Sequence, residues 1–97
     1  MYKILFFLHK TDDENLLNLF TEKVTGKLSE MADEVVETAE VDNNFLLDQK
    51  YSLYCEISAD ERKEMDKLMQ TKNGKELSRA LSELVNDITV IAVNYKK

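Results

Sequence analysis

Residues 2–10, Tyr-Lys-Ile-Leu-Phe-Phe-Leu-His-Lys, constrain the fold more than any other stretch of the chain. Five consecutive apolar residues between polar ends are too short for a buried helix, so they predict a strand. Alternate side chains of a strand leave opposite faces, and Leu5 and Phe7 therefore point away from the face that carries Phe6. Both faces are apolar and need cover. The chain's own helices can cover one face, and we expect a partner to cover the other.

The composition predicts one small domain spanning residues 1–97 and excludes several classes of protein. Hydrophobic residues make up 43% of the chain, enough for a core, and the net charge of −6 argues against nucleic-acid binding. No apolar run approaches the roughly 20 residues of a membrane span. The apolar start has no basic leader and no cleavage site, and one cysteine cannot form an internal disulfide. We therefore expect a cytoplasmic protein with no membrane segment.

Hydrophobic periodicity predicts the element order β-α-β-β-α-β. The predicted elements are a strand at 2–10, a helix at about 12–31, a half-exposed edge strand at 34–41, a strand at 51–57, a helical region from 58 to 85 that is broken at 71–74, and a strand at 88–95. Right-handed crossovers turn this order into an α+β, ferredoxin-like layer. Its four-stranded antiparallel sheet has the order 4-1-3-2, with both helical regions on one face.

Local signals predict where the helices begin and end. Residues 11–14, Thr-Asp-Asp-Glu, and residues 58–61, Ser-Ala-Asp-Glu, have the pattern of capping boxes at two helix starts. Gly74 is placed as a left-handed cap in the break of the second helical region. Gly26 lies inside the first helix, where glycine usually indicates close packing or a bend.

Two segments resemble the EthD-like members of the dimeric α+β-barrel superfamily. Residues 20–28, Phe-Thr-Glu-Lys-Val-Thr-Gly-Lys-Leu, are similar to the family's first-helix motif, and Asn-Gly-Lys-Glu-Leu at 73–77 is similar to the segment that opens its last helix. The apolar opening strand is also similar. The resemblance implies a homodimer in which two sheets close face to face, with a pocket within each sheet's curve. The family's histidine before its glycine is replaced here by Thr25.

Candidate site residues gather where the first and third strands should meet. His9, the only histidine, ends the first strand and should lie near Tyr51 and Ser52. Tyr54 and Glu56 share one face of the third strand with Ser52, and Phe7 adds an aromatic ring. We expect these side chains beside a pocket between the outer face of the third strand and the inner side of the first helix. A buried carboxylate needs a partner there. The alternative is an exposed His9, a solvated Glu56 and a Tyr54 that fills the barrel.

No motif in the sequence identifies a reaction, a cofactor or a metal. Walker loops, dinucleotide fingerprints, cysteine pairs and metal-ligand spacings are absent, so we predict no cofactor. Cys55 is interpreted as a buried small hydrophobe. Two functions remain. One is a homodimer that binds a small hydrophobic or aromatic molecule, with or without catalysis, and the other is a non-catalytic dimer whose barrel is filled by side chains.

Overall fold

The computed structural model describes residues 1–46 and 48–96, which form one antiparallel sheet and a layer of helices. The elements are β1 (Tyr2–His9), α1 (Glu14–Leu19), a π-helical segment (Phe20–Thr25), α2 (Gly26–Ala32), β2 (Ala39–Glu40), β3 (Tyr51–Ala59), α3 (Arg62–Met69), α4 (Lys72–Glu83) and β4 (Ile88–Asn94). The strand order β2-β3-β1-β4 confirms the predicted topology, with β1 central. Within the described ranges, every helix is too short or too polar to cross a membrane.

The core lies between the helices and one face of the sheet. Phe6 and Leu8 of β1 are almost fully buried there, beside Cys55 and Ile57 of β3. The helical side chains packed against them are Phe20, Val24, Leu28, Met65 and Leu77. The residues of β1 that alternate with this set, such as Leu5, remain partly exposed on the opposite face. We call that opposite side the open face.

The first helix is continuous from Glu14 to Ala32, with a π-helical middle. Its predicted capping box is wrong. Asp13, not Thr11, is the N-cap, and its carboxylate accepts from the amide of Asn15. The Thr11 hydroxyl instead accepts a hydrogen bond from the amide of Asp13, the N-cap residue that precedes the first helical residue.

The third strand is two residues longer than predicted, and this removes the second capping box. Ser58 and Ala59 belong to β3, where they pair with the first residues of β1. The N-cap of α3 is Glu61, whose side chain makes no capping hydrogen bond. Serine is a common N-cap residue, but at Ser58 the ladder to β1 continues to Ala59.

Gly74 does not cap a helix in the left-handed conformation, so that prediction is wrong. It lies within α4, is buried and has a negative φ. The N-cap of α4 is Thr71, whose hydroxyl accepts from the Gly74 amide at 3.1 Å. A Cβ on Gly74 would lie 2.4 Å from the carbonyl oxygen of Met69 and 2.5 Å from that of Leu68. Glycine is required here by the close approach of the preceding helix.

The edge strand is much shorter than the predicted range 34–41. Only Ala39 and Glu40 form β2, because the preceding segment is hydrogen-bonded to the helices. The Ser29 hydroxyl accepts from the Val36 amide at 3.0 Å, and the Thr25 and Thr38 hydroxyls are 2.7 Å apart. These contacts hold residues 36–38 against the helix layer.

Candidate functional site

Aromatic side chains occupy the middle of the open face. Phe7 of β1 lies opposite Tyr54 of β3, and the two ring centroids are 5.0 Å apart. The ring centroid of Tyr51, also from β3, lies 4.7 Å from that of Phe7. Across β1, Leu5 lies opposite Ile91 of β4, which extends the surface with an aliphatic side chain. The open face therefore carries an apolar centre built from three strands.

A register shift in β3 brings Tyr51 opposite His9 and beside Phe7. The shift lies between Leu8, which pairs with Leu53, and His9, which pairs with Tyr51. Ser52 is the extra residue, and its hydroxyl accepts from the Thr11 amide at 3.0 Å. Simple alternation along the strand places Ser52 beside Tyr54 but does not predict this bulge. Nothing in the sequence marks the bulge.

A polar group formed by Lys3, Tyr54 and Glu56 lies at one end of the open face. The Tyr54 hydroxyl donates to Glu56 Oε2, and Lys3 Nζ lies 3.1 Å from Glu56 Oε1. The hydrogen bond from Tyr54 and the nearby Lys3 ammonium lower the pKa of Glu56. Partial burial, followed by the hydrogen bond to Glu56, raises the pKa of Tyr54. Both the carboxylate and the phenol are thus stabilised in their usual charge states.

Sequence reasoning missed Lys3, although the strand register could have indicated it. Lys3 is two residues from Leu5 on the same face of β1, and Leu5 pairs with Glu56. Diagonal neighbours in a sheet are within reach of a long side chain. The ammonium also lies 5.6 Å from the ring centroid of Tyr95, beyond the end of β4.

His9 lies at the other end of the face. Its Nε2 is 2.7 Å from the Thr89 hydroxyl of β4, and its ring centroid is 6.2 Å from that of Tyr51. The predicted proximity to Tyr51 is therefore correct. The Phe7–Tyr54 pair lies between His9 and Glu56 along the ladder, so the structure does not bring His9 and Glu56 together.

A slot of about 400 Å³ lies beside Tyr54 and Glu56, at the edge of the sheet. Its second wall is formed by residues 34–37 and Ala39, not by α1. The predicted boundary at the first helix is wrong, because that helix packs on the opposite face of the sheet.

The remaining reactive groups indicate no metal or nucleophile site. In the part of the chain that the structure describes, no three His, Cys, Asp or Glu side chains are grouped to hold a metal ion. Cys55 is 1% exposed, and burial raises the pKa of its thiol to about 11. A neutral, inaccessible thiol is a poor nucleophile.

Comparisons with known proteins give likeness of fold. No family model matches the chain. No curated protein matches it either. An ethyl tert-butyl ether D (EthD) family protein from Bacillus halodurans superposes with a TM-score of 0.76 at 14% identity, covering 99% of each chain. A protein from Arabidopsis thaliana gives 0.61 at 12% identity, covering 99% of this chain and 93% of that one.

A third solved structure is a dimeric protein of unknown function with a ferredoxin-like fold from Bacteroides fragilis. It gives a TM-score of 0.50 at 16% identity and covers 97% of this chain and 94% of its own. At sequence identities this low, structural similarity indicates a shared fold but not a shared activity. The chain therefore has the ferredoxin-like α+β fold that it shares with an EthD family protein, and the predicted resemblance is confirmed at the level of the fold.

Proposed function

We propose that two copies of the chain pair through their open faces and that the space between the sheets binds a small, mostly apolar molecule. The uncovered apolar centre of the open face is the observation that carries this proposal. Ile91 of β4 is 43% exposed. Leu5 and Phe7 are only partly buried, although both belong to the central strand β1. Contiguous apolar surface of this kind marks an interaction site.

One protein of similar fold supports the pairing. The Bacteroides fragilis protein, which has a similar fold, is dimeric. A twofold contact between identical faces is self-complementary, so one apolar patch supplies both sides of the interface. The charged residues of the face lie at its end, where Lys3 and Glu56 neutralise each other.

The arrangement of side chains indicates the kind of ligand. Phe7, Tyr51 and Tyr54 offer aromatic surface, and the Tyr54–Glu56 pair and His9 offer hydrogen-bonding groups at opposite ends. Sites of this composition bind apolar molecules whose orientation is fixed by a few polar contacts. The expected ligand is an aromatic or aliphatic compound with one hydrogen-bonding group.

A filled interface is the second candidate function, and specific contacts favour it. The ring of Phe7 already packs against two tyrosines, and the polar groups of Glu56 and His9 already have partners. In that case the two sheets meet directly and the protein is a structural dimer without a ligand.

Two neighbouring residues of β4 provide a matched test of the pairing. Ile91 and Val90 are each 43% exposed but lie on opposite faces of the sheet. Sedimentation velocity should show a dimer for the parent and for Val90→Lys, and a monomer for Ile91→Lys. Equal behaviour of the two variants would overturn the proposed interface.

Ligand binding between the sheets is tested by adding toluene or p-cresol to the parent protein and measuring the changes in its NMR chemical shifts. Binding predicts shifts at Phe7 and Tyr54, and weaker p-cresol binding in a Tyr54→Phe variant whose melting temperature is nearly unchanged. If the dimer forms but neither probe causes shifts, the filled interface replaces the ligand site.

A further inference from the structure

The outer edge of β3 is paired along only part of its length. The Val41 amide donates to the Ser52 carbonyl at 3.0 Å, and Tyr54 pairs with β2. Peptide groups alternate in direction along a strand, so those of Tyr54, Glu56 and Ser58 point to the same edge as those of Ser52. Beyond Tyr54, no described strand lies on that side. The amide and carbonyl groups of Glu56 and Ser58 are therefore available to a further strand.

The slot described above runs along this unpaired edge. Its first wall is a continuous run of β3, residues 54–58, and its second wall is the segment 34–37 with Ala39. Tyr54 is paired with Ala39, so the unpaired part of this wall is residues 55–58, and four strand residues at a rise of about 3.3 Å give an edge of roughly 13 Å. The slot therefore matches an extended segment of about four residues, lying between two backbone walls.

The chain's own preceding segment cannot fill the slot while its hydrogen bonds to the helices persist. Residues 34–38 include adjacent β-branched residues that would suit a longer β2, but the Val36 amide is bonded to Ser29. The Thr38 hydroxyl is bonded to Thr25, which is itself buried. The helix layer thus keeps the second wall of the slot away from β3.

The charges of the lining indicate what kind of segment fits. Glu34 and Glu37 are exposed and form no ion pair within the described ranges, and the slot is lined by no lysine or arginine. Glu56 is already paired with Lys3. A segment that enters the slot therefore meets unneutralised negative charge, and basic side chains complement it.

We propose that the slot binds an extended, basic segment of a partner polypeptide, which adds a strand to β3 beside Glu56 and Ser58. Main-chain hydrogen bonds supply the attachment, and side-chain charge supplies the selectivity. The free edge of β4 is a poorer acceptor for such a segment, because none of the residues Ile88–Asn94 is charged. This site lies at the sheet edge and does not require the pairing of open faces.

The test uses a fluorescein-labelled peptide, acetyl-Lys-Val-Lys-Val-Lys-Val-amide, and follows binding by anisotropy. Because the lining of the slot is acidic, the matched Glu-Val peptide should not bind. Two further versions carry N-methyl groups on all lysines or on all valines. Successive amides of an added strand point alternately toward β3 and away from it. The version that is methylated on the amides facing β3 should bind at least about tenfold more weakly, and the other version should retain binding. Retained binding of both would indicate charge attraction alone, and an equal loss in both would show that no alternating set of amides is used; either result would overturn the proposal.

Variants of the protein place the binding in the slot. Glu34→Lys with Glu37→Lys should weaken binding about tenfold. The matched control is Glu22→Lys with Glu83→Lys, which makes the same change in net charge at exposed residues elsewhere and should leave binding unchanged. Ser58→Pro removes one outward amide and should also weaken binding, with circular dichroism confirming its fold.

The oligomeric state separates this proposal from that of the paired open faces. The Ile91→Lys variant should bind the peptide as the parent does, whether or not it is monomeric. If a second copy fills the slot instead, Glu34→Lys with Glu37→Lys dissociates the dimer and the parent does not bind the peptide. That result would overturn the assignment to a separate partner.

Discussion

The Tyr54 hydroxyl donates a hydrogen bond to the Glu56 carboxylate two residues further along β3, on the face of the sheet that the helices leave open. Residues two apart in a strand lie on the same face, so this pair follows directly from the strand assignment. The contact lowers the pKa of Glu56 more than any other neighbour does. It also leaves the phenol oxygen of Tyr54 with lone pairs available to a further group.

The first prediction is a pH dependence of stability that is carried by this contact. The pKa of Glu56 is lower in the folded protein than its ordinary value of 4.5. Its stabilising effect is therefore present above that value and is lost as the pH falls through the folded pKa. Tyr54→Phe should lower the free energy of unfolding at pH 7 by less than about 1 kcal/mol, because Glu56 is partly exposed. The difference should vanish in strong acid.

NMR titration of the Glu56 carboxyl carbon gives the direct measurement. Its pKa should rise in Tyr54→Phe and stay lowered in a Tyr51→Phe control, since Tyr51 makes no hydrogen bond to Glu56 in the described part of the structure. An unchanged pKa of Glu56 in Tyr54→Phe would show that the contact is absent in solution.

The sequence predicted the sheet well because periodicity carries information about faces. The run of apolar residues in β1 indicated a central strand, and the order of elements then fixed the topology. Tyr54 and Glu56 were identified as one group for the same reason. The face on which a strand residue lies follows from its position within the strand, so it can be predicted without information about distant residues.

The errors arose where distant contacts decide the local structure. The bulge at Ser52 is accompanied by a hydrogen bond from the Thr11 amide, 41 positions away, and alternation alone does not predict such a register shift. The short β2 depends on bonds from the helix to Val36 and Thr38. The residue type and position of Gly74 predict a left-handed cap, whereas its role is set by packing against α3. Residue type alone does not distinguish these cases.

The second prediction contrasts two neighbouring phenylalanines. From the sequence alone, Phe6→Ala and Phe7→Ala are each expected to lower the free energy of unfolding by about 3 to 5 kcal/mol. Phe6 is 1% exposed in the core, so Phe6→Ala should reach that range. Phe7 lies on the open face and is only partly buried, so Phe7→Ala should cost about 1 to 2 kcal/mol in a dilute protomer.

Urea unfolding at low protein concentration measures both values. At high concentration the effect of Phe7→Ala should grow, because the ring belongs to the proposed interface. Equal losses at low concentration would contradict the assignment of the two rings to opposite faces.

The third prediction concerns the reactivity of Cys55. Burial raises the pKa of its thiol to about 11, which leaves about 0.1% as thiolate at pH 8, and the side chain is 1% exposed. Ellman's reagent should therefore modify the folded protein at least about 100-fold more slowly than the protein in urea. Ser58→Cys in a Cys55→Ala background places a thiol at an exposed position of the same strand and should react rapidly without urea. Fast modification of Cys55 in the folded parent would contradict its place in the core.

The last prediction contrasts the two glycines. In a helix interior, alanine is favoured over glycine by about 1 kcal/mol when space is available. A Cβ on Gly26 would meet nothing closer than the Thr21 carbonyl at 3.6 Å, an ordinary contact. Gly26→Ala should therefore raise the free energy of unfolding by about 0.5 to 1 kcal/mol. A Cβ on Gly74 would lie 2.4 Å from the Met69 carbonyl oxygen, which is backbone and cannot rotate away.

Gly74→Ala should consequently lower the free energy of unfolding by about 1 to 3 kcal/mol, because α3 and α4 must separate to admit the methyl group. Urea melts of the two alanine variants, measured beside the parent, should thus move in opposite directions. Amide hydrogen exchange locates the effect, since only Gly74→Ala should weaken protection in the first turn of α4. Stabilisation by both substitutions would show that the helices are not in close contact at Gly74.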